Sequence, residues 1–304
     1  MRESCSLRIA DVQVKILGES SLKMPNSFAI FKVEEEAGKD MQEGSDTPVQ
    51  YEIRFRIVPE LKVPDGICVY EERETGVYLS EDRTYFRVFK DYYTDQKVYA
   101  IGYYDWDQKV ILIECQPENI DLFKNVQVIF KHVAWETLLL KEERLMLHAS
   151  YLRTPFGGIA FSGASGIGKS TQAGLWCQYE QAEMLNGDKV ILREKDDRWI
   201  GYGSPYAGSS SCYVNDSCEL NGLFFLKQGK ACSLRKLTLS ESVKQIYTGL
   251  TLNRWDGECV KQACDLAEKL AKTVPVYEFI CTPDEQAVHF LKKKLEGGEI
   301  PGVD

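Results

Sequence analysis

Ile159-Ala-Phe-Ser-Gly163-Ala164-Ser165-Gly166-Ile167-Gly168-Lys169-Ser170-Thr171 is the stretch that decides how this chain is read. It fits G-x-x-x-x-G-K-[ST], the phosphate-binding P-loop. Residues 159–161 are a short apolar run with strand character. Residues 172–179 read as a helix in which Ala173, Leu175 and Trp176 can pack. Strand, glycine loop and helix are what phosphate binding requires. Gly163, Gly166 and Gly168 permit positive φ and let backbone N–H groups approach phosphate oxygens. The helix N-terminus adds partial positive charge. Lys169 can reach the β- and γ-phosphates, and the Ser170 hydroxyl can ligate Mg²⁺. Gly163 through Thr171 is therefore the expected nucleotide site. The competing reading is a Gly/Ser turn that happens to precede Lys-Ser, and the flanking strand and helix argue against it.

Upstream, residues 145–153 read as a strand. Pro155, Gly157 and Gly158 turn the chain, so that residues 159–161 return beside it, antiparallel. A P-loop strand entered from a hairpin differs from the long crossover of Ras-like folds. Residues 133–143 read as a helix leading into this region. Residues 1–130 read as a mostly β domain. Within it Tyr51, Ile53, Phe55 and Ile57 alternate with Glu52, Arg54 and Arg56, the pattern of a half-buried strand. Residues 84–89, 97–104 and 109–115 look similar, with hairpin turns expected at residues 105–108 and at Thr75-Gly76. Residues 34–48 are polar and acidic, and a mobile loop is expected there. Tyr92, Tyr93, Tyr99, Tyr103 and Tyr104 fit amphipathic positions on an antiparallel sheet better than a binding face.

Downstream, Asn186-Gly187-Asp188 lies between two apolar runs. An acidic residue at a strand edge shortly after a P-loop is where a metal-organising carboxylate is expected. Asn-Gly is also a strong hairpin-turn signal, and a turn presents Asp188 well. Asp196-Asp197 reads as another turn. Residues 201–211 are Gly- and Ser-rich, and a substrate loop and a plain surface turn are both open readings. Residues 222–227 and 276–281 read as strands, and residues 240–249 and 257–273 as helices. Thr282-Pro283-Asp284-Glu285 has the form of a capping box with Pro at the first helical position. It opens a helix with Val288, Leu291 and Leu295 on one face. The domain assignment is thus 1–130 and 131–304, the second carrying the nucleotide site.

Asp and Glu (46) outnumber Lys and Arg (37), for a net charge of −9, which disfavours a general nucleic-acid or anionic-membrane surface. Neither a signal peptide nor a membrane-spanning run is expected from the sequence. The ten cysteines form no C-x-x-C pair, and reduced thiols in a cytoplasmic protein are expected.

Residues 147–295 resemble the catalytic domain of HPr kinase/phosphorylase and its bacterial relatives labelled phosphoenolpyruvate carboxykinase-like. The resemblance rests on Leu147-His148-Ala149, which stands before the P-loop as the family's Ile-His-Gly does. It rests also on Gly163-Ala-Ser-Gly-Ile-Gly-Lys-Ser170, and on Asn186-Gly-Asp-Lys-Val190, which is similar to Ala-Asp-Asp-Arg-Val. Residues 203–208, Val274-Pro-Val-Tyr277 and Cys281-Thr-Pro-Asp284 support it. It implies an α/β (α+β) fold: a carboxykinase-like P-loop domain with a mixed sheet. It also implies ATP, Mg²⁺ and phosphoryl transfer to a hydroxyl, often a serine, and a peptide or protein acceptor by analogy. Two features depart from the pattern. Gly187 stands where the family has the first Asp of its acidic pair, and the Glu-x-Arg-Gly signature is absent, which argues against HPr as substrate.

On this reading Lys169 and the loop amides hold phosphate, and Ser170 and Asp188 organise Mg²⁺. Asp188 accepts the substrate proton, helped by His148. For His148, a satisfied core histidine is the alternative. Arg235 and Arg254 read as solvated arginines rather than clamps on transferred charge. The leading function is an ATP-dependent kinase acting on a serine-like hydroxyl of a peptide, protein or small metabolite. A nucleotide-binding regulatory or scaffold protein without catalysis is the alternative, and carboxykinase activity a weaker one. A homo-oligomer is compatible with the sequence.

Overall fold

The computed structural model describes residues 2–34, 49–91 and 97–297. Most of the acidic segment at 34–48, together with Tyr92 and Tyr93, lies outside them. The architecture is mixed α/β with two mixed sheets. The chain divides into two compact units, Met1–Leu138 and Leu139–Asp304.

The first unit is an eight-stranded sheet. Its strands are β1 (Arg2–Ile9), β2 (Val12–Glu19), β3 (Val49–Ile57), β4 (Ile67–Glu72), β5 (Thr75–Leu79), β6 (Tyr85–Lys90), β7 (Val98–Asp105) and β8 (Val110–Cys115). They lie in the order β1-β2-β3-β8-β7-β6-β5-β4. The pairs β2–β3 and β3–β8 are parallel and the rest antiparallel. In β3 the alternation is explicit: Tyr51, Ile53 and Phe55 are buried while Arg54 and Arg56 are exposed. The β7–β8 turn falls at 105–110, where Asp105 Oδ1 accepts from Gln108 N at 2.9 Å. The other expected turn is displaced. Thr75 and Gly76 open β5, and Arg73-Glu74 make the turn. The helix expected at 133–143 is also redrawn. A 3-10 helix (Pro117–Lys124) and α1 (Val126–His132) precede it, Ala134 breaks the chain at φ 53°, and α2 covers Trp135–Lys141.

The last residue of α1, His132, is fully buried. Its Nδ1 donates to the Val128 carbonyl at 2.7 Å, and its ring stacks on Phe89 at 3.8 Å between centroids. Nε2 has no hydrogen-bond partner. Burial drives its pKa down to about 3, with the charges of Lys131 and Arg87 adding to the effect against the pull of the Val128 carbonyl. A histidine that is neutral when folded and protonated when unfolded contributes stability above its unfolded pKa. That stability drains as pH falls below ~6.5, by about 1.4 kcal/mol per pH unit. From pH 6.5 to 5 the wild type should lose about 2 kcal/mol more than His132→Phe. Urea unfolding of both proteins at the two pH values checks this, and parallel losses would contradict it.

The second unit is built on β9 (Arg144–Thr154), β10 (Gly157–Ser162), β11 (Glu183–Asn186), β12 (Lys189–Lys195), β13 (Arg198–Tyr202), β14 (Ser217–Gln228), β15 (Ser233–Lys236) and β16 (Val276–Cys281). β10 is antiparallel to β9 on one side, as the hairpin reading requires, and parallel to β14 on the other. The residues at the turn are Pro155 and Phe156, while Gly157 and Gly158 already belong to β10. Helices cover both faces, so β14 reads as a continuous apolar run rather than an alternating one. Phe224 and Leu226 pack with Ala173 and Trp176 of α3 (Lys169–Glu180) and Val288, Leu291 and Leu295 of α6 (Glu285–Glu296). Leu223 and Phe225 pack with Ile246 of α4 (Leu239–Gly249) and Ala263, Ala267 and Leu270 of α5 (Gly257–Thr273).

Two local expectations change. The N-cap of α6 is Asp284, which accepts from Gln286 N, so Thr282 and Pro283 precede the helix. The true capping box is Thr238/Glu241 at α4. Gly201 and Tyr202 end β13 rather than starting the irregular loop, and Asp196 and Asp197, at φ 51° and 61°, form the β12–β13 turn. All ten cysteines are free thiols. No helix among the described residues is long and apolar enough to cross a membrane.

Candidate active site

β10 ends at Ser162, and the glycine loop begins. Gly163, Gly166 and Gly168 have φ 139°, 75° and 113°, the backbone region that disfavours a side chain. Ala164, Ser165 and Gly166 are exposed, Gly163, Ile167 and Gly168 half-buried. Gly168 is the N-cap of α3 and offers no side-chain cap; uncapped first-turn N–H groups are the end of a helix at which an anion binds. Ser170 and Thr171 are exposed on that turn. Lys169 folds back: only 7% exposed, its Nζ donates to the carbonyls of Gly163 and Ala164 at 3.2 Å each. Burial lowers its pKa, Asp188 opposes that shift, and Lys189 reinforces it.

His148 and Asp188 arrive from neighbouring strands. Ser162 pairs with Ala149, and the Ser162 hydroxyl donates to the His148 carbonyl at 2.9 Å. The start of the glycine loop is thereby tied to His148. On the other side of β9, His148 pairs with Lys189. His148 Nε2 lies 3.1 Å from Asp188 Oδ1. A carboxylate can only accept, so the imidazole nitrogen is the donor. Burial is the largest influence on Asp188 and raises its pKa. The hydrogen bond from His148, with the charges of His148, Lys189 and Lys169, outweighs it, and the carboxyl ends below its ordinary value. His148, Asp188, Lys169 and Lys189 are thus one electrostatic cluster. Ser170 lies in the first turn of α3 and is exposed.

The Asn-Gly-Asp segment is not a hairpin turn. β11 and β12 both run antiparallel to β9, at Tyr151–Arg153 and Arg144–His148. Between them Ala149 N donates to Asp188 O, and Ser150 Oγ to Gly187 O, each at 2.9 Å. This is one strand with a bulge, a device that re-aims a side chain out of the pleat. Asn186 makes the bulge. Fully buried, its Oδ1 accepts from Asp188 N at 2.9 Å and from Lys189 N at 2.6 Å, while its Nδ2 donates to Ser204 O and Tyr206 O. One side chain therefore holds the Asp188 backbone and the loop beyond β13 together. Sequence reasoning treated Asn186 as turn punctuation. Asn before Gly-Asp is the local signal, but two of its four partners lie 18 and 20 residues away.

That loop closes over Asp188. Gly208, at φ 54°, lies so near that a Cβ there would be 2.8 Å from Asp188 Cγ. Gly187 leaves no open space beside Asp188. The Ser210 side chain occupies the position a Cβ at 187 would take, and the Ser210 hydroxyl donates to Ala207 O at 2.6 Å. A second carboxylate at 187 would require the loop to move. Tyr206 is half-buried, and burial first, then the Asp188 charge, raises its pKa. The loop at 203–211 therefore adjoins the cluster, which the sequence left open. Arg235 pairs with Glu241 and Glu278, and Arg254 lies over the Tyr247 ring, so both have local partners of their own.

No protein-family model and no curated protein matches this chain. Among solved structures it is similar to the HPr(Ser) kinase/phosphatase from Coxiella burnetii, at 16% identity and a TM-score of 0.31, covering 51% of this chain and 94% of that one.

Proposed function

We propose that residues 131–304 form a P-loop domain of the HPr kinase and carboxykinase-like type, an ATP-dependent phosphotransferase acting on a serine-like hydroxyl. One observation carries this: an ionised carboxylate, Asp188, oriented by His148 and sharing an electrostatic cluster with the glycine-loop lysine. The loop amides and Lys169 bind the nucleotide phosphates. Asp188 receives the acceptor hydroxyl through a hydrogen bond, and His148 fixes the carboxylate's orientation. The hydroxyl oxygen bonds to the γ-phosphorus, the bond from that phosphorus to the β–γ bridging oxygen breaks, and ADP departs with the electron pair. The hydroxyl proton passes to Asp188 and then to water. Because the transition state is loose, orientation matters more than basicity, which suits a carboxylate held below its ordinary pKa.

The residues fit Mg²⁺. This ion takes one or two protein oxygens and completes its shell with phosphate and water. Ser170 and Asp188 would supply such a pair of oxygens, and no cluster of three metal-ligating side chains exists among the described residues. When bound, Mg²⁺ would neutralise charge on the β- and γ-oxygens.

The regulatory alternative draws on Gly187, which removes one of the family's two carboxylates. The His148–Asp188 pair favours catalysis over it. Mg²⁺-dependent formation of ADP by the full chain separates the two: a regulator binds ATP and leaves it intact.

A further inference from the structure

β15 and β16 bring two cysteines to one place. The strands are antiparallel, with Lys236 opposite Tyr277 and Ser233 opposite Ile280. Leu237 N donates to Val276 O at 2.9 Å, so 237 and 276 form a hydrogen-bonded pair of this ladder. Bonded and non-bonded pairs alternate along an antiparallel ladder. Ser233–Ile280 is therefore a bonded pair, and one step further Cys232 stands opposite Cys281 at a non-bonded position. At such positions the Cα atoms are about 4.5 Å apart and the side chains come closest. A disulfide spans Cα separations of about 4.4–6.8 Å, so the backbone need not move to admit one.

The side chains agree with this register. Cys232 and Cys281 pack in the same cluster as Leu234 and Phe279, the preceding non-bonded pair. Both therefore point to the face covered by α3 and α6. Cys232 Sγ lies 3.6 Å from the hydroxyl of Thr282, the residue after Cys281. The Cys281 thiol is pushed up to about 11, by burial first and then by the charge of Cys232. Both are free thiols, Cys281 buried and Cys232 half-buried. An oxidant from solvent meets Cys232 first.

We propose that Cys232 and Cys281 are a reversible thiol-oxidation site, closed to a disulfide by hydrogen peroxide. The Cys232 sulfur takes one peroxide oxygen as the O–O bond breaks, giving a sulfenic acid and one water. Cys281 Sγ then bonds to Cys232 Sγ, the S–O bond breaks, and a second water leaves with the Cys281 proton. Two thiols and one peroxide give one disulfide and two waters. The bond fastens the end of β16, from which two helices are seated. The Thr282 carbonyl accepts from Gln172 Nε2, in the first turn of α3, at 2.7 Å, and Asp284 caps α6. The proposal is independent of the phosphotransfer reading. The rival role is that of two small core residues that never join.

The test uses the full chain, treated with hydrogen peroxide until the exposed Cys68 thiol is fully oxidised. Remaining thiols are then alkylated in denaturant and the peptides mapped by mass. The expected product is a Cys232–Cys281 cross-linked peptide, two hydrogens lighter than the separate peptides and released by dithiothreitol. The treated wild type should unfold about 5 °C higher than equally treated Cys232→Ser, a difference that dithiothreitol removes. The map of the wild type decides the pairing even where a variant folds poorly. Cys232 and Cys281 both recovered alkylated, or either one joined to a different cysteine, overturns the proposal. So does a cross-link that leaves the unfolding temperature unchanged or lower, since the bond would then not be the staple described.

Discussion

Lys169→Ala should weaken ATP binding about 100-fold, ~2.7 kcal/mol, in a protein that still folds. The structure gives the reason. The Lys169 ammonium is buried under the loop, held by the Gly163 and Ala164 carbonyls. Two neutral acceptors take two of its three N–H donors, and burial disfavours the charged form against the opposing charge of Asp188. Phosphate oxygens would accept from the ammonium and offset its charge. The alanine variant loses this charge-assisted contact and keeps the loop amides, so binding weakens without vanishing. The helix keeps the packing of Ala173 and Trp176, so the variant should still fold. Calorimetry with ATP, with thermal unfolding as the control for folding, decides it. Unchanged affinity in a folded variant would show that the glycine loop is not a phosphate site.

Asp188→Asn should have the opposite profile: ATP affinity within about threefold of wild type, and turnover lower by about 1000-fold, ~4 kcal/mol. Asparagine preserves the shape on which Gly208 packs, and the backbone bonds from Asn186 do not involve the Asp188 side chain. The change is confined to charge. The His148 Nε2–H loses an anionic acceptor, the acceptor hydroxyl loses its proton partner, and a metal would lose its carboxylate. Comparable turnover in the two proteins would reduce Asp188 to a bulge residue.

How far the sequence reached is seen best around these residues. The strand, glycine loop and helix were legible because every constraint there is local: apolar run, positive-φ glycines, Lys-Ser, packing helix. The β9–β10 hairpin was legible for the same reason, as were α5 and β16. The Asn186-Gly187-Asp188 segment was read half correctly. Its chemistry does bend the chain, but whether a bend becomes a hairpin or a bulge depends on which strand lies alongside, and that strand is β9, from before the glycine loop. Asn186 as a clamp, Ser210 filling the space at Gly187, and Lys189 held by Thr251 all share that property. Each is a pairing between segments far apart in the chain, and no local pattern encodes it. The displaced cap of α6 is a milder case. Thr-Pro-Asp-Glu offers two N-cap candidates, and Asp284 wins with its carboxylate on Gln286 N.

The central claim is that this cluster transfers phosphate with Asp188 as its carboxylate. The most direct measurement is the initial rate of ADP formation from ATP across a Mg²⁺ titration, for the wild-type chain and Asp188→Asn at equal nucleotide occupancy. Slow turnover by water suffices, since no acceptor need be known. The account predicts ADP formation that rises with Mg²⁺ in the wild type, stops on chelation, and is lost in Asp188→Asn although ATP remains bound. ATP bound by the wild type and left intact at every Mg²⁺ concentration, or hydrolysed equally by both proteins, would contradict it.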